Sequence, residues 1–227
     1  MTKLTRYQVL AIFVLLFLLV LQVPLFLAQP LTGDCILWDL EAKQVLNGGV
    51  LYRDIFQTNP PGTTWLHLLA RSLFGTSSAA LRLFDLFILT GIVYLMARWI
   101  IRAGAGQTSA IVAAIFLYWI HISQSVWCHC QRDNWMLFFG LVGLELRYFQ
   151  LQRIKGSYRW IMARSIAEGV VWGCAFWIKP FIAIPAFLCF VVSIAIVRSW
   201  RSVADLGGVL IGGMICGAAG ITWLDLT

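Results

Sequence analysis

The chain has 227 residues, of which 60% are hydrophobic and 12% charged, and its net charge is +7. A mean hydropathy of +0.83 excludes the soluble single domain that this length would otherwise suggest. The positive charge does not indicate nucleic acid, because the basic residues fall in short loops at intervals and form no continuous stripe.

Lipid offers no partners to backbone N–H and C=O groups, so each span must be a helix or part of a closed barrel. The apolar runs are about 18–24 residues long and lack period-2 alternation, which points to helices. The expected fold is all-α: a polytopic transmembrane bundle of about seven spans, with interfacial amphipathic helices in the first external loop.

In chain order, the first apolar run, Val9 to Leu27, follows Lys3 and Arg6. It exceeds the ~7–15 residues of a signal-peptide core and has no small-x-small cleavage site, so it reads as an uncleaved signal anchor. The expected spans are Tyr7–Leu27, Ala79–Ile101, Gln107–Val126, Asn134–Gln150, Trp160–Ile178, Pro180–Val197 and Val203–Leu224. Residues 30–78 form the first external loop. Within it, Gly33 to Gly62 holds four of the ten acidic residues: Asp34, Asp39, Glu41 and Asp54.

Asp34–Asn47 sets Ile36, Leu37, Leu40 and Leu46 among acids, which predicts an interfacial helix. Gly48-Gly49 ends it and Pro60-Pro61 starts the next. Gly62–Phe74 has about 13 residues where a span needs about 20. His67 and Arg71 lie one turn apart on one face, the profile of a helix lying in the interface.

Charge in the loops sets the topology. With Gly62–Phe74 interfacial and Lys3 and Arg6 in the cytoplasm, Arg98 and Arg102 fall inside. So do Arg147, Arg153, Lys155 and Arg159, and later Arg198 and Arg201. Were Gly62–Phe74 a span, the cluster from Arg147 to Arg159 would lie outside. The same topology puts residues 33–62 outside, with Cys128–Asp133, Lys179 and Asp225.

Of the six cysteines, Cys174, Cys189 and Cys216 lie in apolar runs and read as small hydrophobes. Cys128-His129-Cys130 is not by itself a zinc signature. A disulfide from Cys35 to this pair requires both loops to face an oxidising compartment. Gly208, Gly212, Gly213, Gly217 and Gly220 in the last span predict close helix packing. The chain ends at Leu226-Thr227 with no closing basic loop, as expected of a fragment of a longer protein.

Charged side chains at membrane depth are functional candidates by default. Four groups converge on the outer face: Asp34 beyond the first span, Asp133 in Gln131-Arg132-Asp133-Asn134, Lys179 before Pro180, and Arg82 with Asp85 one turn on. Plainer readings exist for two of them. Arg82 and Asp85 have the spacing of an ion pair, and Lys179 could snorkel. Glu168, in mid-span, has no evident partner in sequence.

These elements in this order resemble the N-terminal half of a GT-C type glycosyltransferase, in the bacterial protein mannosyltransferase and aminoarabinose transferase-like group. The resemblance rests on Asp34 after the first span, then Gly49, Tyr52, Asp54, Pro60-Pro61-Gly62, Phe74-Gly75 and Ala80-Leu81-Arg82. Asp133 opens the fourth span and Lys179-Pro180 follows the fifth. It covers nearly the whole chain. Cys35 departs from the pattern, since many relatives have Glu there, and the later spans and soluble domain of many relatives are absent.

The resemblance implies transfer of a sugar from a polyprenyl-phosphate donor to a protein, lipid or glycan acceptor. Transfer would be inverting, on the extracytoplasmic face of a bacterial inner membrane. Asp34 would be the general base and Asp133 the second catalytic acid. Arg82, Lys179 and Arg132 would bind the donor phosphate, with Tyr52, Asp54 and His67 as loop or substrate contacts. Carboxylate oxygens suit Mg²⁺ or Mn²⁺, and family members differ on metal use. The rival classes are a transporter or flippase and a non-catalytic membrane scaffold. Transporters place charges near the midplane in repeated, broken helices, whereas here they sit at the outer ends.

Overall fold

The computed structural model describes residues 6–226. Lys3, counted above as a cytoplasmic charge, and Thr227 lie outside them. The described residues form nine α-helices: α1 Arg6–Ala28, α2 Asp34–Leu46, α3 Gly62–Phe74, α4 Ser78–Arg102, α5 Gly106–Ser123, α6 Arg132–Gln152, α7 Tyr158–Ile178, α8 Ala183–Val197 and α9 Arg201–Leu226. Short 3₁₀ turns at Val126–Cys128 and Pro180–Ile182 precede α6 and α8. Extended pairing among the described residues is limited to a bridge between Leu51 and Ile55.

Six helices are long and apolar enough to cross a membrane: α1, α4, α5, α7, Pro180–Val197 and Arg201–Asp225. The chain is an all-helical integral membrane protein. Helix α6 has 21 residues, as many as α7, but it carries Arg132, Asp133, Glu145 and Arg147. It packs against α4, α7 and α8, so Glu145 and Arg147 are buried against protein. Helices α1 and α8 turn large apolar side chains such as Phe13, Phe17, Phe187 and Ile196 outward, as lipid-facing helices do.

Helices α7 and α9 meet backbone to backbone. A Cβ at Gly169 would come within 2.1 Å of the Val209 carbonyl oxygen, and one at Gly212 within 2.1 Å of the Ile166 carbonyl oxygen. Gly208, Gly212 and Gly220 of the last helix serve the close packing that their spacing predicts, whereas a Cβ at Gly217 would meet nothing within 4 Å.

Ion pairs mark both ends of the bundle. At one end, Arg102 and Arg98 on α4 reach Glu145 on α6, with Arg102 Nη2 2.6 Å from Glu145 Oε1. Arg201 donates to the Ile154 carbonyl at 3.1 Å in the α6–α7 loop. At the other end lie Asp34, Arg82, His129, Asp133 and Lys179.

Two residues past Glu145 on α6, Arg147 joins Glu168 (α7) and Asp205 (the fifth residue of α9) in one buried cluster, 3%, 0% and 5% exposed. Arg147 Nε donates to Glu168 Oε1 at 2.9 Å, and Nη1 pairs with Asp205 Oδ2. Two sequence-based readings change here. Glu168 has a partner, and Arg147 belongs to this cluster and not to the loop charges that remain at Arg153, Lys155 and Arg159.

Candidate active site at one end of the bundle

Asp34 is the first residue of α2, where the exposed N–H groups of the helix favour a negative charge. Gly33 before it has φ +60°, and a Cβ there would lie 2.4 Å from the Trp127 ring. Only glycine meets both conditions. The Val126–Cys128 turn is thereby laid against the start of α2. The Asp34 carboxylate is exposed, with no hydrogen bond or ion pair among the described residues.

Lys179 and Asp133 come together. Asp133 is in the first turn of α6, Lys179 is the residue that ends α7, and Lys179 Nζ pairs with Asp133 Oδ1. Their side chains keep 24% and 57% of their exposure, so the pair is open to a ligand. Beside it, Pro60-Pro61-Gly62 places the start of α3 against the end of α7. A Cβ at Gly62 would fall 2.4 Å from the Trp177 carbonyl carbon and 2.6 Å from the Ile178 nitrogen. Arg132 completes this corner: Nη1 donates to Asn59 Oδ1 at 2.6 Å, and the guanidinium lies 5.3 Å over the Trp38 ring.

Tyr52 and Asp54 shape the loop between α2 and α3. Tyr52 holds φ +69° and donates its hydroxyl to the Asn59 carbonyl at 2.6 Å. Asp54 accepts from the Val50 N–H at 2.8 Å and pairs with Arg53, whose guanidinium, with that N–H, holds the carboxyl down at about 2. Glu41 ties the same loop to both helices, accepting from Gln57 at 2.6 Å and from Thr64 Oγ1 at 2.8 Å.

An apolar groove of about 520 Å³ has Ile178, the residue before Lys179, in its wall. Trp65, Leu66 and Leu69 of α3, Trp177 and Ile178 of α7, and Trp223 of α9 line it. Its walls are suited to a hydrocarbon chain.

Arg82 is committed elsewhere. It is 1% exposed, and its guanidinium donates to the Gln29 and Pro30 carbonyls at 2.9 and 2.6 Å. Its Nη1 also lies 2.9 Å from His129 Nδ1. A guanidinium only donates, so Nδ1 is the acceptor and the His129 proton is on Nε2, given to the His121 carbonyl at 2.8 Å. Both ring nitrogens of His129 are therefore used. Asp85 pairs with His121 Nε2 at 2.8 Å and accepts from Trp135 Nε1 at 2.7 Å, and not from Arg82. Sequence reading missed His121 and Trp135, although a histidine near a span end one loop away from Cys128–Cys130 was a usable signal.

His67 is interior. It is 0% exposed, 5.0 Å from the Trp135 ring and 6.1 Å from the Trp38 ring by centroids, with Nδ1 3.9 Å from Asp39 Oδ1. Burial holds it below the ordinary imidazole value, more than Asp39 can offset. Burial raises the Asp39 carboxyl, but His67, Arg71 at 2.5 Å and Lys43 outweigh it and leave the group well below the usual carboxylate range. Both groups bind protons less readily in the fold than in the unfolded chain. Their contributions are complete at higher pH and fade as pH falls, beginning below 6.5 for His67 and below 3.8 for Asp39. Hydrogen-exchange protection of residues 62–74, corrected for intrinsic rate, is therefore expected to drop first below pH 6.5, and His67→Gln removes that step. Protection that holds flat down to pH 4 in the wild-type chain would contradict this.

Among the described residues no group of three or more His, Cys, Asp or Glu side chains converges as a metal-ligand set. Asp133 already faces a Lys179 cation, and Asp34 has no second acid beside it that is free to share a metal, since Asp39 is held by Arg71 and Lys43. The site as built does not fit a resident Mg²⁺ or Mn²⁺.

Comparison of the chain with protein-family models, curated proteins and solved structures finds no match in any of the three. The class that the helices define, an integral membrane helical bundle, stands on the chain's own geometry.

Proposed function

We propose that this protein is a membrane glycosyltransferase that moves a sugar from a polyprenyl-phosphate donor to an acceptor hydroxyl on the extracytoplasmic face. In this reading α6 also spans the membrane, as the fourth of seven spans, and the first loop, residues 30–78, lies outside. The observation that carries the proposal is the open Lys179–Asp133 pair, one residue along the chain from Ile178 in the groove wall, together with a leading loop acid, Asp34, that has no partner among the described residues. The groove accommodates an isoprenoid chain while Lys179 meets its phosphate.

The inverting displacement follows from these groups. Asp34 takes the proton of the acceptor hydroxyl, whose oxygen attacks the anomeric carbon from the face opposite the phosphate. The bond from that carbon to the phosphate oxygen breaks, and the phosphate leaves with the electron pair. Lys179, with Arg132 next to it in sequence from Asp133, stabilises the charge that develops there. Asp133 positions the Lys179 ammonium. Arg82 acts through structure, fixing the chain between α1 and α2 where Asp34 stands, and does not bind the phosphate directly. No step is routed through a metal.

A transporter or flippase needs charges that line a path. The charges within this bundle, Arg147, Glu168 and Asp205, instead satisfy one another out of solvent. Transfer of radiolabel from polyprenyl-phosphate sugars, assayed in membranes containing the protein, separates the enzyme from both transporter and scaffold. No transfer to any acceptor class would reject the proposal.

Lys179→Ala is expected to raise the apparent donor KM about tenfold or more, the loss of one charge-assisted contact. Unchanged donor KM would mean that Lys179 only anchors α7.

A further inference from the structure

Two of the six cysteines sit where the first loop meets the turn before α6. Cys35 is the second residue of α2, next to Asp34, and Cys130 lies three residues before Asp133. They are 1% and 0% exposed and belong to one packed cluster with Leu81, Phe84 and Trp135. Both thiols are free in the structure, and Cys130 Sγ lies 3.8 Å from the Leu81 carbonyl oxygen. The Gly33–Trp127 contact closes the same two segments from the other side. Cys130 has φ +56°, which turns its side chain inward while Cys128, two residues earlier, stays exposed.

We infer that Cys35 and Cys130 form a structural disulfide that clamps the helix bearing Asp34 to the turn bearing Asp133. The inference rests on the external placement of the first loop, because such bonds persist only in an oxidising compartment.

The bond is made by thiol–disulfide exchange with an oxidising protein disulfide. One thiolate attacks the donor disulfide to give a mixed disulfide, and the second thiolate then displaces the donor sulfur. Two thiols lose two electrons and two protons, and the donor becomes a dithiol. The final burial of both sulfurs means that exchange precedes closure of the turn, and that the finished bond is shielded from reductants.

A second pair supplies an internal contrast. Cys174 and Cys216 stand 3.8 Å apart, sulfur to sulfur, on α7 and α9. They lie within candidate spans, where a soluble oxidant does not reach, and stay reduced. The bundle thus holds two cysteine pairs, one packed in a common cluster and one in thiol contact, and location decides which is oxidised.

The test counts thiols on the intact protein purified without reductant, denatured and labelled with a maleimide. Four labels are expected, rising to six after reduction, with a non-reduced peptide map linking the Cys35 and Cys130 peptides. Six labels before reduction, or a link from Cys35 to Cys128, would overturn the inference. Should Cys35→Ser or Cys130→Ser fail to accumulate, the wild-type count alone still decides it.

Topology is read separately, with an epitope inserted between Gly48 and Gly49 and probed on intact cells. A hidden epitope would reject the external loop itself, and an exposed epitope with six free thiols would reject only the disulfide. Reduction under denaturant followed by refolding with the thiols blocked is expected to lower sugar transfer at least several-fold by freeing Asp34 from Asp133. A blocked protein with full transfer would show that the bond does not position the site.

Discussion

Arg147→Ala is expected to destabilise the protein by about 3–5 kcal/mol, the range for removing one partner of a buried ion pair. Arg147 serves two acids. Its Nη2 lies 2.8 Å from Glu168 Oε2 while Nη1 pairs with Asp205, whose other oxygen accepts from Ser165 at 2.5 Å and Gln150 at 3.1 Å. Alanine would leave two carboxylates facing each other out of water. Glu168→Gln should cost only about 1–2 kcal/mol, because one cation and one anion then remain and the amide still fits the site. The order of the two variants in thermal unfolding in detergent is the check. Equal losses would mean that Arg147 does not neutralise both acids.

Asp34→Asn is expected to lower sugar transfer by about 100-fold or more, the scale of general-base catalysis, with unchanged membrane levels and unfolding temperature. The split follows from its surroundings. The carboxylate is exposed and has no hydrogen bond or ion pair among the described residues, so an amide breaks none. It does remove the only unengaged acid at the start of α2. Cys35 and Asp39 beside it are buried, and Asp39 is held by Arg71, Lys43 and His67. The measurement is label transfer at saturating donor. Wild-type turnover in the variant would remove Asp34 from the chemistry.

Much of the fold was legible because lipid enforces a simple rule, that a run of about 20 apolar residues is a helix. The short Gly62–Phe74 run was recognisable as α3 by the same rule, and Gly48-Gly49 and Pro60-Pro61 bracket the loop where their backbone preferences place it. The meeting of Asp133 with Lys179 was legible only as shared sidedness. What closes the distance is Gly62 against Trp177, a contact no periodicity announces.

Partners across the bundle were not legible. Asp85 has Arg82 one turn away on its own helix, yet it takes His121 from α5 and Trp135 from α6. Arg82 turns instead to carbonyls 52 and 53 residues earlier in the chain. Glu168 shows the same limit, since its cation lies on another helix. Helical spacing predicts neighbours along one helix, and buried charge is satisfied mostly by neighbours across helices.

The cluster at Arg147 has a consequence for how the chain is made. Helices reach the bilayer in the order of synthesis, so α6 and α7 arrive before α9. Entering alone, each would carry an uncompensated charge into hydrocarbon. Entering as a hairpin, they bring Arg147 and Glu168 in as a neutral pair. Asp205 then joins them with α9, whose glycine face packs along α7. The pairing therefore favours insertion of α6 and α7 as one hairpin, onto which α9 docks afterwards.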